Sequence, residues 1–202
     1  MYVPASFSET RLEVLHGLIH DNSFGSLVSQ LEGELFATHM PFLLDPERGA
    51  NGTLRGHMAR ANPHWHAFDG AGAESLAIFQ GAHAYISPAW YVAEEAVPTW
   101  NYAVVHVYGV PRVIEDASEV RDILEQTVAT FDTEGWTTQR VADEYITNLA
   151  KAIVAFEMPI SKLQGKRKLG QNRPAEDARG AARGLRAVAD QMEAAAQLRR
   201  VR

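Results

Sequence analysis

The stretch "FGSLVSQLEGELFATHMPFLL" (residues 24–44) carries the clearest fold signal in the chain. Two strand-like runs, 24–31 and 34–44, flank Glu32 and Gly33, a gap that is just long enough for a tight turn. Further strand-like runs follow at short intervals, over residues 53–59, 75–81, 82–87 and 103–115. Because no helical pattern separates these runs, they predict an antiparallel β-barrel or meander and argue against a doubly wound fold.

Helical patterns lie before and after this series. Residues 8–20 predict a short helix that Ser8 caps, and apolar stripes predict helices over 117–131 and 139–156. A short strand over 156–163 and a loop over 165–174 should follow. Residues 175–202 predict a closing helix that two glycines weaken. The sequence therefore predicts an α+β, mainly β domain over residues 1–174, with residues 175–202 as a basic helical extension of it.

Charge is distributed unevenly along the 202 residues. The net charge is −6, yet residues 162–202 carry a net +7 and residues 1–161 a net −13. The tail would attract a polyanion that the body would repel, although a solvated amphipathic helix is the commoner meaning of such a tail. Cysteine is absent, no apolar run is long enough to span a membrane, and the first residues lack the features of a signal peptide. We therefore expect a cytoplasmic protein.

Several catalytic motifs are missing from the sequence. There is no phosphate-binding loop and no HExxH pair, and the glycines of "DGAGAE" (69–74) do not complete a dinucleotide fingerprint. Four histidines could hold a metal ion, namely His39, His57, His64 and His66, but the stretch around His64 and His66 is loop-like and no nearby carboxylate completes a set. The sequence thus predicts neither a metal site nor an identifiable catalytic set.

A strand end with polar residues is a better candidate for binding. In "LRGHMARANPHW" (54–65), Arg60 could fork two hydrogen bonds onto a phosphate, while His57 and Asn62 could add polar contacts. A capped strand end with a surface arginine explains the same residues equally well. Thr38 and His39 lie in a similar setting, but alternation along a strand should send their side chains to opposite faces.

The stretch "AYISPAWYVAEEAVPTWNY" (84–102) concentrates aromatic residues. It holds five of the ten Trp and Tyr residues in the chain, and Ser87, Thr99 and Asn101 lie among them. Flat rings beside polar groups suit a planar heteroaromatic ligand, because Trp90 and Trp100 could stack on its face while the polar groups read its edge. The alternative is that these rings belong to the core or to a dimer interface.

Seven motifs occur in order over residues 1–174. They are "MYVP", "THMPF", "GHMARANP", "IFQGAHAYISPAWY", "VPTWNY", "VHVYG" and "KLGQNR". Together they closely resemble the PaiB-type family of FMN-binding negative transcriptional regulators. The resemblance implies an FMN-binding split β-barrel that holds flavin at a homodimer interface. It also implies a link, in the founding bacterial members, to repression of sporulation and degradative-enzyme genes.

The last of these motifs predicts a loop at the edge of the cofactor. "KRKLGQNRP" (166–174) combines cations with the amides of Gln171 and Asn172, and the resemblance favours a flavin contact over a solvated basic turn. Gly170 stands where the resemblance leads us to expect serine, which removes one hydroxyl. The residues predicted to bind FMN are Thr38, His39, His57, Arg60, Asn62, Ser87, Trp90, Trp100, Asn101, Lys168, Gln171, Asn172 and Arg173.

Three functional hypotheses remain open at this point. The first is an FMN-binding regulator that acts as a homodimer. DNA is a candidate partner, but direct contact has little support, because no helix-turn-helix is recognisable and the body is acidic. The second is a flavin-dependent oxidase or reductase on the same barrel, since a fold does not determine a function. The third is a haem-binding split-barrel protein.

Overall fold

The computed structural model describes residues 1–68 and 73–199, and only the backbone of residues 194–199. Part of "DGAGAE" and the end of the predicted extension, residues 200–202, therefore lie outside the described residues. Four α-helices are present in the described part: Leu12–Asp21 (α1), Ala117–Phe131 (α2), Asp143–Lys151 (α3) and Ala175–Arg199 (α4). The strands are Ser8–Glu9 (β1), Phe24–Leu31 (β2), Glu34–Pro41 (β3), Leu43–Asp45 (β4), Thr53–Ala59 (β5), Ser75–Ile86 (β6), Thr99–Gly109 (β7), Arg112–Ile114 (β8) and Ile153–Lys168 (β9).

The hairpin predicted from residues 24–44 forms as expected. β2 and β3 pair antiparallel, and Leu31 lies opposite Glu34, so Glu32 and Gly33 make a two-residue turn. Both turn residues have positive φ, 52° and 88°, which matches the right-handed twist of the two strands. Phe42 follows β3 and separates it from β4, so the second predicted run becomes two strands.

The nine strands form one antiparallel sheet in the order β3-β2-β6-β7-β9-β5-β4. β1 and β8 lie off this path and both pair with β9. β9 thus pairs with β1, β5, β7 and β8, and its 16 residues are long enough to pair with all of them. The prediction of an antiparallel split-barrel fold with added helices is confirmed.

Contacts along the chain define two compact units. The first comprises Met1, residues 10–80 and residues 105–164, and the second comprises residues 2–9, 81–104 and 165–202. The first unit holds the main core, in which Phe42 contacts both Phe79 and Phe156 edge to face. A smaller hydrophobic cluster packs α2 against the sheet through Ile123, which is fully buried. Burying such side chains fully contributes about 1.5–3 kcal/mol each.

The second unit is organised around the end of β9 and the start of α4. β1 pairs with β9 so that Ser8 lies opposite Lys166. α4 begins at Ala175 and packs against the turn Pro88–Trp90. Its buried residues in the first turns include Asp177 and Ala181.

Two predicted helices were wrong in their bounds. The first helix begins at Leu12 and not at Ser8, because Ser8 and Glu9 pair with β9 instead. The predicted helix over 139–156 shortens to α3, and the strand β9 takes over at Ile153. The apolar residues of the predicted helix fit a helical stripe. From Ile153 onward they form a strand instead, because β9 pairs with β5 there and Ala59 lies opposite Ile153.

Two other boundaries also moved. Residues 75–81 and 82–87 form the single strand β6, because Gly81 continues the ladder and does not break it. Residues 165–168 of the predicted loop extend β9, so the loop itself begins at Leu169. None of the helices in the described residues is both long and apolar enough to cross a membrane.

Candidate functional site

A cavity of about 270 Å³ in the second unit collects residues from three of the motifs. His83 lies on β6, Tyr91 follows the turn Pro88–Trp90, and Asn101 lies on β7. The turn at Leu169 and Gly170 and the side chain of Arg173 close another side, and small residues of α4 form the remaining wall. Of the predicted site residues, Asn101 and Arg173 line this cavity.

A buried carboxylate holds the loop that supplies Tyr91. Asp177 is only 1% exposed, and its Oδ1 accepts hydrogen bonds from the backbone N–H groups of Val92 (2.9 Å) and Ala93 (3.3 Å). Its other oxygen lies 3.7 Å from Nη1 of Arg173. The Arg173 guanidinium stacks over the ring of Tyr91 at 4.4 Å. Asp177 thereby fixes the position of the loop and of one cation at the cavity.

Trp90 contacts α4 rather than presenting a free face. A Cβ at Gly180 would overlap the carbonyl oxygen of Trp90, and a Cβ at Gly184 would overlap its indole ring. The two glycines that weaken the helix in isolation therefore let the turn approach the helix closely. Trp90, predicted as a stacking platform, packs on α4 instead.

Trp100 keeps an exposed ring. Its side chain is 54% exposed and lies near His83 and Tyr85, with ring centroids 6.5 and 6.1 Å apart. At the start of the same strand, Nζ of Lys168 donates a hydrogen bond to the hydroxyl of Thr99. This part of the second unit thus offers an aromatic surface, and a lysine bound to a hydroxyl.

Other predicted residues of the second unit serve the backbone. Gln171 accepts a hydrogen bond from the N–H of Leu169 at 2.7 Å and donates one to the carbonyl of Arg167, so its amide stabilises its own turn. Gly170 in that turn has a φ of 84°, a conformation that serine would adopt only with strain. Ser87 accepts a hydrogen bond from the N–H of Ala89, and Asn172 is exposed.

The first unit brings Thr38 and Asn62 together around a histidine. Nδ1 of His64 lies 2.7 Å from the hydroxyl of Thr38, which also accepts a hydrogen bond from Asn62 at 3.1 Å. Nε2 of His64 lies 2.8 Å from the hydroxyl of Ser29, which in turn bonds to Ser75. His64 is fully buried, and burial lowers its pKa. All the polar atoms of this ring are satisfied, which is typical of a structural histidine.

The remaining predicted residues of the first unit lie apart from that network. His39 is exposed and pairs with Ser26 at 2.8 Å, which confirms that it faces away from Thr38. His57 is half-buried within β5, and burial lowers its pKa. The structure therefore does not gather these histidines into one cluster.

Arg60 caps a helix. Its Nε and Nη2 donate hydrogen bonds to the carbonyls of Lys151 (2.9 Å) and Ile153 (2.7 Å), at the C-terminal end of α3. A cation is favourable there because the helix end carries partial negative charge. The Nε–Nη2 edge that would fork onto a phosphate thus contacts two backbone carbonyls in this structure.

Sequence reasoning missed Asp177, Tyr91 and His83. A signal for the first was available, because Arg173 and Asp177 are spaced for an i,i+4 pair, and Gly180 and Gly184 follow on the same face. Nothing local distinguishes Tyr91 from the other rings of its stretch. The described residues contain no group of three or more His, Asp or Glu side chains that could hold a metal ion.

Comparisons with known proteins agree with the fold and the motifs. A model of the family described as "Putative FMN-binding domain" matches residues 1–162. "Protease synthase and sporulation protein PAI 2" of Bacillus subtilis is 35% identical over 181 residues, which cover 88% of this chain and 85% of that protein.

Two solved structures show the same split-barrel fold at low sequence identity. The flavocytochrome Anf3 from Azotobacter vinelandii aligns with a TM-score of 0.63 at 15% identity, over 81% of this chain and 70% of its own. The FAD and haem binding protein from Mycobacterium smegmatis aligns with a TM-score of 0.59 at 16% identity, over 86% and 79%. At such identities the likeness shows the fold alone.

The resemblance to PaiB-type proteins is therefore confirmed, since both the family model and the Bacillus relative cover most of the chain. The chain belongs to the family described as "Putative FMN-binding domain", and FMN is the cofactor that this membership assigns to it.

Proposed function

We propose that the protein is a homodimeric FMN-binding regulator of gene expression, with one end of the flavin at the cavity of the second unit. The observation that supports this most directly is that the cavity is lined by three of the family-like motifs, through His83 and Tyr91, Asn101, and Gly170 with Arg173. The role in regulation rests on the similarity to the PAI 2 protein. Such a role would be exercised in the cytoplasm.

The residues at the cavity fit the chemistry of a flavin. Bound FMN supplies a planar redox-active ring and a phosphate. The Asn101 amide offers both a donor and an acceptor for the ring edge, and Tyr91 offers an aromatic surface under the Arg173 cation. The cavity volume of about 270 Å³ falls just below the usual range for ligand pockets, about 300–1,000 Å³. A whole flavin would therefore extend beyond the cavity.

The exposed rings offer a continuation of that surface. Trp100 and Tyr85 are 54% and 46% exposed, and Val92 and Val97 of the same unit are more exposed still. A second copy of the chain would cover such a surface and would sandwich a ring that one copy holds on one face only. A homodimer is therefore proposed.

Lys168 is the phosphate ligand that we propose. Its ammonium bonds to the hydroxyl of Thr99, and no carboxylate among the described residues pairs with it. An ammonium beside a hydroxyl can bind a phosphate, whereas Arg167 and Arg173 are paired with Glu9 and Asp177. Arg60 is assigned to the end of α3 instead.

A titration of three proteins with two ligands tests the flavin site. The fluorescence of FMN and riboflavin is followed as the protein is added, for the wild type, Lys168→Ala and the control Lys162→Ala. Lys162 is an exposed lysine of the same strand that stacks over Tyr108. Lys168→Ala should weaken FMN about tenfold and leave riboflavin nearly unchanged, because only FMN carries the phosphate. Equal losses of affinity for both ligands in Lys168→Ala would refute the assignment of Lys168. A lack of FMN binding by all three proteins would refute the proposed site.

Regulation is tested separately from flavin binding. A gel shift with promoter DNA at low and at moderate salt should show a complex that weakens steeply with salt if the cationic tail contacts DNA. Arg179, Arg183 and Arg186 are exposed on α4 and lie one turn apart, so their triple substitution by glutamine is the matched variant. Rapid oxidation of NADH or NADPH by the FMN-loaded protein would instead favour a reductase and contradict a purely regulatory role.

A further inference from the structure

A second cavity, with a volume of about 750 Å³, lies in the first unit. α2, α3, β8 and the start of β9 form its walls, and Trp65 lies at its side. Its volume is within the range of small-molecule sites, about 300–1,000 Å³. None of the residues that we propose for the flavin lines it.

The walls of this cavity are more apolar than polar. They are formed mainly by aliphatic side chains of the two helices and of the sheet beneath them, including Val120, Leu124, Ile146 and Val154. Trp65 donates its indole N–H to the carbonyl of Arg60 at 3.0 Å, so its polar atom is already satisfied. The interior therefore suits a hydrocarbon or an aromatic body rather than a polar ligand.

The charged residues at the cavity are mostly cations. Arg60, Arg121 and Lys151 line it, against the single carboxylate of Glu115. Arg121 is neutralised by Glu125 and Asp143, at 2.9 and 2.6 Å.

The other two cations have no carboxylate partner among the described residues. Lys151 contacts only the amide oxygen of Asn148, at 3.0 Å, and Arg60 contacts backbone carbonyls. Lys151 is the last residue of α3, and the Arg60 side chain contacts carbonyls at that end of the helix, so the two cations can act on the same ligand group. Two cations without a carboxylate partner, beside a mainly apolar cavity, are complementary to an anion with an apolar body.

We propose that this cavity binds a small monocarboxylate with an apolar body, separately from the flavin. The carboxylate would lie at the ammonium of Lys151 and the free Nη1 of Arg60. The apolar body would lie between α2 and α3. Since the ligand would contact both helices, its binding would stabilise their packing on the sheet.

Calorimetric titration with octanoate and with octanol tests the proposal on the intact 202-residue chain. The two probes share the chain length and differ in charge. Octanoate should bind more tightly than octanol to the wild type. Lys151→Met, which keeps an apolar stem and removes the charge, should weaken octanoate about fivefold and leave octanol unchanged. Lys162→Met removes a lysine outside the cavity and should change neither.

Two variants with larger side chains in the cavity walls test where the ligand binds. Ala150→Phe on α3 and Leu124→Trp on α2 both add volume to the walls, and each should abolish binding of both probes while a circular dichroism melt verifies folding. Octanoate binding that survives both substitutions in folded protein would place the ligand elsewhere. Equal affinity for octanol and octanoate would refute the role of the cations. Stoichiometric displacement of octanoate by FMN would assign this cavity to the flavin and overturn the proposal of a separate site.

Discussion

The site of this protein depends on single side chains that act on backbone as much as on a ligand. Asp177 is the clearest case, because one oxygen accepts two N–H groups of the loop that supplies Tyr91. Arg60 does the same for the end of α3, and Gln171 for its own turn. In each case a polar residue that sequence reasoning associates with ligands, or overlooks, satisfies backbone groups that would otherwise lack a partner.

Asp177→Ala should lower both stability and flavin affinity. It leaves two loop N–H groups without an acceptor and frees Arg173, so the free energy of unfolding should fall by about 1–3 kcal/mol. Glu176→Ala, at the exposed neighbouring position, should change stability by less than about 0.5 kcal/mol. Urea unfolding and FMN titration measure the two effects. If both variants behaved alike, the loop would not depend on this carboxylate.

His64 should make stability depend on pH. Burial lowers its pKa in the folded protein, so the unfolded chain takes up a proton first as the pH falls below about 6.5. The stabilisation is fully present above that value and is lost as the pH falls through the folded-state pKa. Urea unfolding at pH 7.5 and 5.0 should show a smaller loss for His64→Gln than for the wild type. An equal loss would assign the pH dependence to His57 and His106, whose pKa values burial also lowers.

At the scale of elements, the glycines of α4 matter because they have no Cβ atom. Alanine normally stabilises a helix relative to glycine by about 0.5–1 kcal/mol. A Cβ at Gly184 would overlap the Trp90 ring, whereas a Cβ at Gly17 of α1 would meet nothing within 4 Å.

Gly184→Ala should therefore destabilise the protein by about 1–2 kcal/mol, while Gly17→Ala should stabilise it. Thermal melts of the two variants beside the wild type give the comparison. Adding Trp90→Ala to Gly184→Ala should recover part of the loss. Stabilisation by both glycine substitutions would show that Trp90 does not pack there.

The sequence predicts locally determined elements better than it predicts the site, and α2 has the predicted bounds 117–131. β2 and β5 have the predicted bounds, because alternation and a two-residue turn are local signals. The helix over 139–156 fails where pairing with a distant strand competes, and Ser8 is likewise taken by β9. Asn101 and Arg173 were predicted for the site and do line the cavity. The contacts of Arg60 with α3 and of Trp90 with α4 could not be predicted, because both helices are far away in sequence.

At the scale of the whole molecule, we expect a homodimer. Light scattering should give about twice the chain mass of 22.3 kDa. Trp100→Glu should shift the mass toward the monomer without lowering the melting temperature of the chain, because the ring is exposed and adds little to the core. Leu35→Glu, at an exposed position of the first unit, is the control and should leave the mass unchanged. A mass near 22.3 kDa for the wild type at micromolar concentration would contradict the dimer.

The packing of Trp90 on α4 determines where insertions and deletions in this helix are tolerated. Asp177, Gly180 and Gly184 must face the same loop, and each inserted residue would rotate the helix beyond it by about 100°. The length of chain between Asp177 and Gly184 is therefore fixed. From Arg186 to Glu193 every side chain is exposed, so this part can be lengthened, shortened or fused to another protein without disturbing the cavity.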